Sequence, residues 1–194
     1  FELLFFDKLA SMLDAGSVTI NANARNFESV LVGVVGIALA QSAFPLLSHA
    51  AAKKEWQRFG IYLKKGIYSV IGLTVPGAVA LVLLAPIAAH LVHLQKVLPV
   101  FSMALLMYAI AIPFESLNHL LLRSFYALHR TTTPAVFSVL NGVSAVVVSW
   151  MLVPSLGVYA LAVGFTAGQM IQVVGLSLRL WFAYRDLPAC KGTP

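Results

Sequence analysis

Charge is scarce in this sequence. Only 10% of its 194 residues are charged, against about 25% in an ordinary soluble domain. So few charges cannot cover a water-facing surface. With 60% hydrophobic residues and a mean hydropathy of +0.88, the chain is expected to be an integral membrane protein. Cysteine is nearly absent: Cys190 stands alone in a polar tail, which excludes an internal disulfide and says nothing of redox compartment. There is no phosphate-cradling glycine loop, no Walker lysine, no Ser-His-Asp set and no metal-protease helix. These absences argue against an enzyme and against transport driven by ATP. An ion gradient, the membrane potential or the substrate's own gradient would have to supply the energy. His90 and His93 are three residues apart with no third ligand, so no metal site and no cofactor is expected.

Acidic residues are also few, 7 against 13 Lys+Arg, for a net charge of +6. The basic residues form no face interleaved with aromatics, which argues against nucleic acid. They fall in short segments between apolar runs. Five runs are long enough to cross about 30 Å of hydrocarbon as helices at about 1.5 Å per residue. They cover roughly residues 27–50, 66–94, 97–122, 134–153 and 158–182. Helices are the form expected, because open strands leave their backbone unpaired in lipid. The opening "FELLFF" is too short to span and reads as the end of a sixth helix, so the chain is expected to be a piece of a longer protein. The expected fold class is an all-α polytopic membrane bundle, with residues 1–194 forming a single unit.

If every run crosses, segments 50–66, 123–133 and 179–194 share one side. Ten of the basic residues lie there, and Lys8, Arg25 and Lys96 lie opposite. The positive-inside rule makes the basic side cytoplasmic. Within 52–65, Trp56, Phe59 and Leu63 recur at helical spacing while Ile61 falls off their face. This predicts an amphipathic helix lying on the membrane surface. Small residues mark possible packing stripes: Gly33, Gly36 and Ala40, and the pair Gly164 and Gly168. Pro134 suits a first helical turn, with the threonines before it available as caps.

Polar residues inside the runs are the candidate functional groups. Glu115, Asn118 and His119 are spaced by three and four, with Tyr108 two turns earlier, so they share a helical face. A carboxylate in hydrocarbon costs about 2.5–3.5 kcal/mol on insertion scales, so it should meet a cavity or a partner. Glu115 and His119 therefore either line a substrate path or form a local pair between helices. Arg25 and Glu28 stand at the mouth of the first run, either solvated or facing substrate. Gln41, Asn141, Gln169 and Gln172 read as interhelical hydrogen bonds.

Four stretches carry a resemblance: "DKLASMLDAGSV" at 7–18, "VGVVGIALAQSAFPLLSHAA" at 32–51, "LLRSFYALHRTTTP" at 121–134 and "LVPSLGVYALAV" at 152–163. In order and spacing they resemble the MurJ/MviN family of lipid II flippases, of the multidrug/oligosaccharidyl-lipid/polysaccharide exporter superfamily. The resemblance implies two six-helix lobes that rock about a central cationic cavity, with this chain matching most of the second lobe. It implies the first lobe as a partner within the same protein. The implied cargo is an undecaprenyl-diphosphate-linked disaccharide pentapeptide, and the implied location a bacterial inner membrane. The family's Tyr-Ala-x-Arg-Leu places a cavity cation where Asn26 stands here, with Arg25 one residue early, about 100° round an α-helix. His119 stands where the family often has Lys, and Arg130 where it often has Asp. The substrate-path candidates are thus Arg25, Asn26, Glu28, Glu115, Asn118 and His119. A sister polysaccharide or multidrug exporter and a non-transporting membrane scaffold are the alternatives.

Overall fold

The computed structural model describes residues 2–185. Cys190 and Lys191 lie outside them. The described residues are helical nearly throughout, and five helices are long and apolar enough to cross a membrane. A short α1 (Glu2–Ser11) leads into α2 (Ser17–Leu31). A π-helical turn, Val32–Ile37, joins α2 without a break to α3 (Ala38–Ala52). Then follow α4 (Trp56–Leu83), α5 (Ala85–Leu91), α6 (Leu98–Ala127), α7 (Thr132–Leu156) and α8 (Tyr159–Arg185).

The first run differs from expectation at its start. It begins at Ser17 and forms one helical rod to Ala52, so Arg25 and Glu28 lie within the rod and not at its mouth. Residues before 27 are too polar to register as an apolar run, yet Ile20, Asn21 and Ala24 are buried against the bundle. Packing extends the helix where hydropathy alone would end it. The segment expected as a separate surface helix is continuous with the second span, because α4 runs unbroken from Trp56. Its predicted inner face is real: Phe59 is fully buried, Leu63 packs beside it and Ile61 is exposed. The residues after α4 turn back through α5 and one 3-10 turn.

Helix α6 is the axis of the bundle, touching α2, α3, α4 and α8. Two apolar cores mark its ends. At one end Phe101, Leu105 and Tyr108 meet Phe6, Ile20, Ala85, Ala88, Leu161 and Phe165. At the other, Leu120 and Ala127 meet Leu47, Ala50 and Phe59. The ends of α3 and α6 and the start of α4 therefore sit together, as the alternation of crossings requires. Outward-facing surfaces remain apolar, as with Val79, Val139, Trp150 and Met151, which suits lipid better than water.

Helices α7 and α8 pack along most of their length. Gly164 and Gly168 face Ala145, Ser149 and Asn141 at this seam, and Gly175 faces Phe137. The Gly164/Gly168 stripe is thus a true contact stripe. In the other stripe Gly36 is in close contact with Ser116 and Ala40 is buried in the core, whereas Gly33 faces open space. Thr131 occupies the N-cap of α7 but makes no side-chain cap bond, so the expected threonine cap is not formed.

Three helices end in the same way. Lys54, His93 and His129 adopt positive φ of 56°, 56° and 55°. Each is followed by a backbone bond that closes the helix, as in Arg130 N–H to Phe125 C=O at 3.0 Å. Glycine is the usual residue at this left-handed position because it lacks a Cβ. Replacing His129 with Gly is expected to stabilise the fold by about 0.5–1 kcal/mol. A rise in the thermal midpoint of detergent-solubilised protein would show it; an unchanged or lower midpoint would refute it.

Candidate functional site: a polar seam between α2 and α6

The sequence candidates divide into two groups once the helices are packed. Glu28 on α2 is fully buried. The Glu115 side chain reaches it from α6. The Ser29 hydroxyl donates to Glu28 Oε2 at 3.2 Å. His119 Nε2 lies 4.0 Å from Glu115 Oε1, so the local pair expected from the sequence forms as a loose contact. One turn before Glu28, the Arg25 guanidinium sits over the rings of Phe165 and Phe6, at 4.8 and 5.7 Å from their centroids. Cation–π contact holds the charge in place without neutralising it.

This seam is under-satisfied. Arg25 Nη1 is buried without a hydrogen-bond partner among the described residues, and the buried Glu28 Oε1 and Glu115 Oε2 have only the facing carboxyl to meet. Buried polar atoms are ordinarily paired, because an unpaired one forfeits its hydration with no return. These three atoms, on two facing helices, are the groups that something entering the seam would meet.

The second group bonds between helices, with Asn118 Oδ1 and Asn141 Oδ1 left without a partner among the described residues. Asn118 turns away from the seam toward α8, where its amide donates to Gln169 C=O at 3.1 Å and to Gln169 Oε1 at 2.7 Å. Asn141 donates to Gln172 Oε1 at 2.7 Å, and Gln172 donates to Ser138 Oγ at 3.1 Å. The interhelical hydrogen bonds expected for Asn141, Gln169 and Gln172 are thus formed, whereas Gln41, of which the same was expected, is exposed. Asn118 shares their role, since an α6 in contact with helices on several sides presents neighbouring positions to different partners. Sequence reasoning missed Asn21, whose side-chain oxygen accepts from the Tyr108 hydroxyl at 2.6 Å. Its one signal was a polar residue three and four positions before Ala24 and Arg25 on an otherwise inward face.

The π-helical turn sets the direction of Arg25. A π turn closes its hydrogen bonds from i to i+5, one residue more than an α turn. Val32–Ile37 lies between Arg25 and the apolar motif that follows it. The additional residue rotates everything upstream by about one α-helical position, roughly 100°. Arg25 therefore occupies the direction that position 26 would have in an unbroken helix. Its burial agrees: Arg25 is half-buried and contacts two rings, whereas Asn26 is exposed.

Comparison with known proteins bears on the same helices. A match to the family described as "Lipid II flippase MurJ" covers residues 3–188. The chain belongs to the lipid II flippase MurJ family. A curated relative, the "Probable lipid II flippase MurJ" of Treponema pallidum (strain Nichols), is 22% identical over 173 residues. That alignment takes in 87% of this chain and 33% of the relative. A solved structure described as "Lipid II flippase MurJ, inward closed conformation" superposes with a TM-score of 0.80 at 20% identity. It covers 91% of this chain and 38% of that one, and shows that the bundle has the MurJ fold. The chain thus spans about a third of the length of its MurJ relative.

Proposed function

We propose that this chain forms part of the transport path of a lipid-linked oligosaccharide flippase, moving a lipid II-type substrate by alternating access. Family membership supports the class of activity. The observation that carries the site is the under-satisfied seam of Arg25, Glu28, Glu115 and His119 inside apolar helices. The diphosphate of such a substrate offers oxygen acceptors for an arginine, and the sugars linked to it offer hydroxyl donors for carboxylates, matching the seam's groups in kind. Asn26, exposed one position further on, is an additional polar contact. The other lobe implied by the resemblance would complete the cavity, and the surrounding membrane would be a bacterial inner membrane with the basic loops cytoplasmic.

Complementation tests this reading. The open reading frame that encodes the chain should rescue a host depleted of its own lipid II flippase. Glu115→Gln and His119→Ala should each impair rescue by about tenfold or more, the scale of a lost charge-assisted contact, with membrane protein levels unchanged. Wild-type rescue by both variants would show the seam to be structural. Failure of the parent sequence itself, at good expression, would remove lipid II as the substrate.

A further inference from the structure

A second polar concavity lies at the basic end of the bundle, away from the Glu28–Glu115 seam. A cavity of about 160 Å³ opens between the end of α6, the first turn of α7 and the last turns of α8. Phe125, Arg130, Thr133, Arg179 and Phe182 line it. At about 30 Å³ per water molecule the space suits a group the size of a phosphate. Its lining combines two cations with apolar surface. Phe125 is buried beneath it, and Arg130 and Arg179 are both exposed. Among the described residues neither arginine has a carboxylate partner and no acidic side chain lines the cavity.

We propose that this cavity binds the phosphodiester of an anionic phospholipid. Two arginines from separate elements converge on one small space, which a lone surface charge does not do. Guanidinium forks match phosphate oxygens, and the Thr133 hydroxyl adds a further donor. The first N–H groups of α7 open on the same side without a side-chain cap and favour negative charge there. The position selects a lipid over a free anion. The cavity lies at the ends of spanning helices, with Trp181 exposed beside it, as aromatic residues are at membrane interfaces. Basic pockets between spanning helices hold lipid head groups in this setting. The apolar rings of Phe125 and Phe182 can meet the glycerol and the first methylenes. This site is independent of the transported substrate.

The test uses protein expressed from the whole open reading frame, purified in detergent. Phosphatidylglycerol, phosphatidylcholine and inorganic phosphate are added separately, and binding is read by native mass spectrometry and by thermal shift. Phosphatidylglycerol should bind the parent protein and raise its midpoint, and phosphatidylcholine should not. The Arg130→Gln/Arg179→Gln protein should lose about tenfold or more in phosphatidylglycerol affinity, since each cation near an anionic head group contributes about 1 kcal/mol. Arg130→Lys/Arg179→Lys should retain part of it, which keeps the test valid if the neutral variant fails to fold. Equal affinity in the parent and either double variant would overturn the site. Equal protection by inorganic phosphate would overturn its assignment to a lipid.

Discussion

Insertion of one alanine between Val30 and Leu31 is expected to abolish transport while leaving the protein in the membrane. Val30 is exposed at 64%, so the insertion point lies away from the core. The Val32–Ile37 turn already absorbs one residue, so the inserted one rotates everything from Ser17 to Val30 by about 100° relative to α3. Arg25 leaves Phe6 and Phe165, Glu28 leaves Glu115, and Asn26 turns inward. The expected result is no rescue of a flippase-depleted host. Deletion of Val34, exposed at 69%, is the control. It removes the residue that the turn absorbs, the rod continues as α-helix, and Arg25 and Glu28 keep their direction. That protein should rescue. If the insertion alone supports full rescue, the phase of α2 has no bearing on transport. If the deletion also abolishes rescue, the π turn itself, and not the phase of Arg25, is what matters.

Substitution of Gly164 or Gly168 by alanine should destabilise the bundle strongly. A Cβ at Gly164 would lie 2.6 Å from the Ala145 carbonyl oxygen and 2.7 Å from the Ser149 backbone nitrogen. One at Gly168 would lie 2.7 Å from the Asn141 carbonyl oxygen. These are backbone atoms of α7, so no side chain can swing aside and the two helices must separate. Overpacking of this kind costs about 1–3 kcal/mol, and the upper end is expected where backbone is the obstacle. Separation also lengthens the Asn141–Gln172 hydrogen bond across the same seam. Gly72→Ala is the matched control, since nothing lies within 4 Å of its would-be methyl. Thermal midpoints in detergent should fall for Gly164→Ala and Gly168→Ala and hold or rise for Gly72→Ala. Equal midpoints for all three would mean that α7 and α8 are not in close backbone contact.

These two expectations drew differently on the sequence. The Gly-x-x-x-Gly spacing of 164 and 168 was visible from the start, because close helix packing in lipid demands small residues at one-turn intervals. Gly33 and Gly36 carried a similar signal, yet only Gly36 meets another helix. A stripe of small residues permits close approach without saying which helix comes near. The displaced arginine was also visible, as a one-residue offset against the family's motif. The π turn that sets its direction was not, because π-helical bonding leaves no periodicity long enough to read in six residues.

The sequence by itself determined the all-α membrane class, the five spans, the pairing of the basic segments at one end and the family. Each rests on long-range averages of hydropathy, charge and motif order, which survive small errors in phase. Only the tertiary structure decided which polar side chains meet. It separated Asn118 from Glu115 and His119, brought Glu28 to Glu115 across two helices, and carried Arg130 and Arg179 to one cavity. The physical reason is angular: a residue's neighbours depend on helix phase and on the helix packed opposite. One additional residue in a single turn changes phase by about 100° while leaving composition and hydropathy almost untouched.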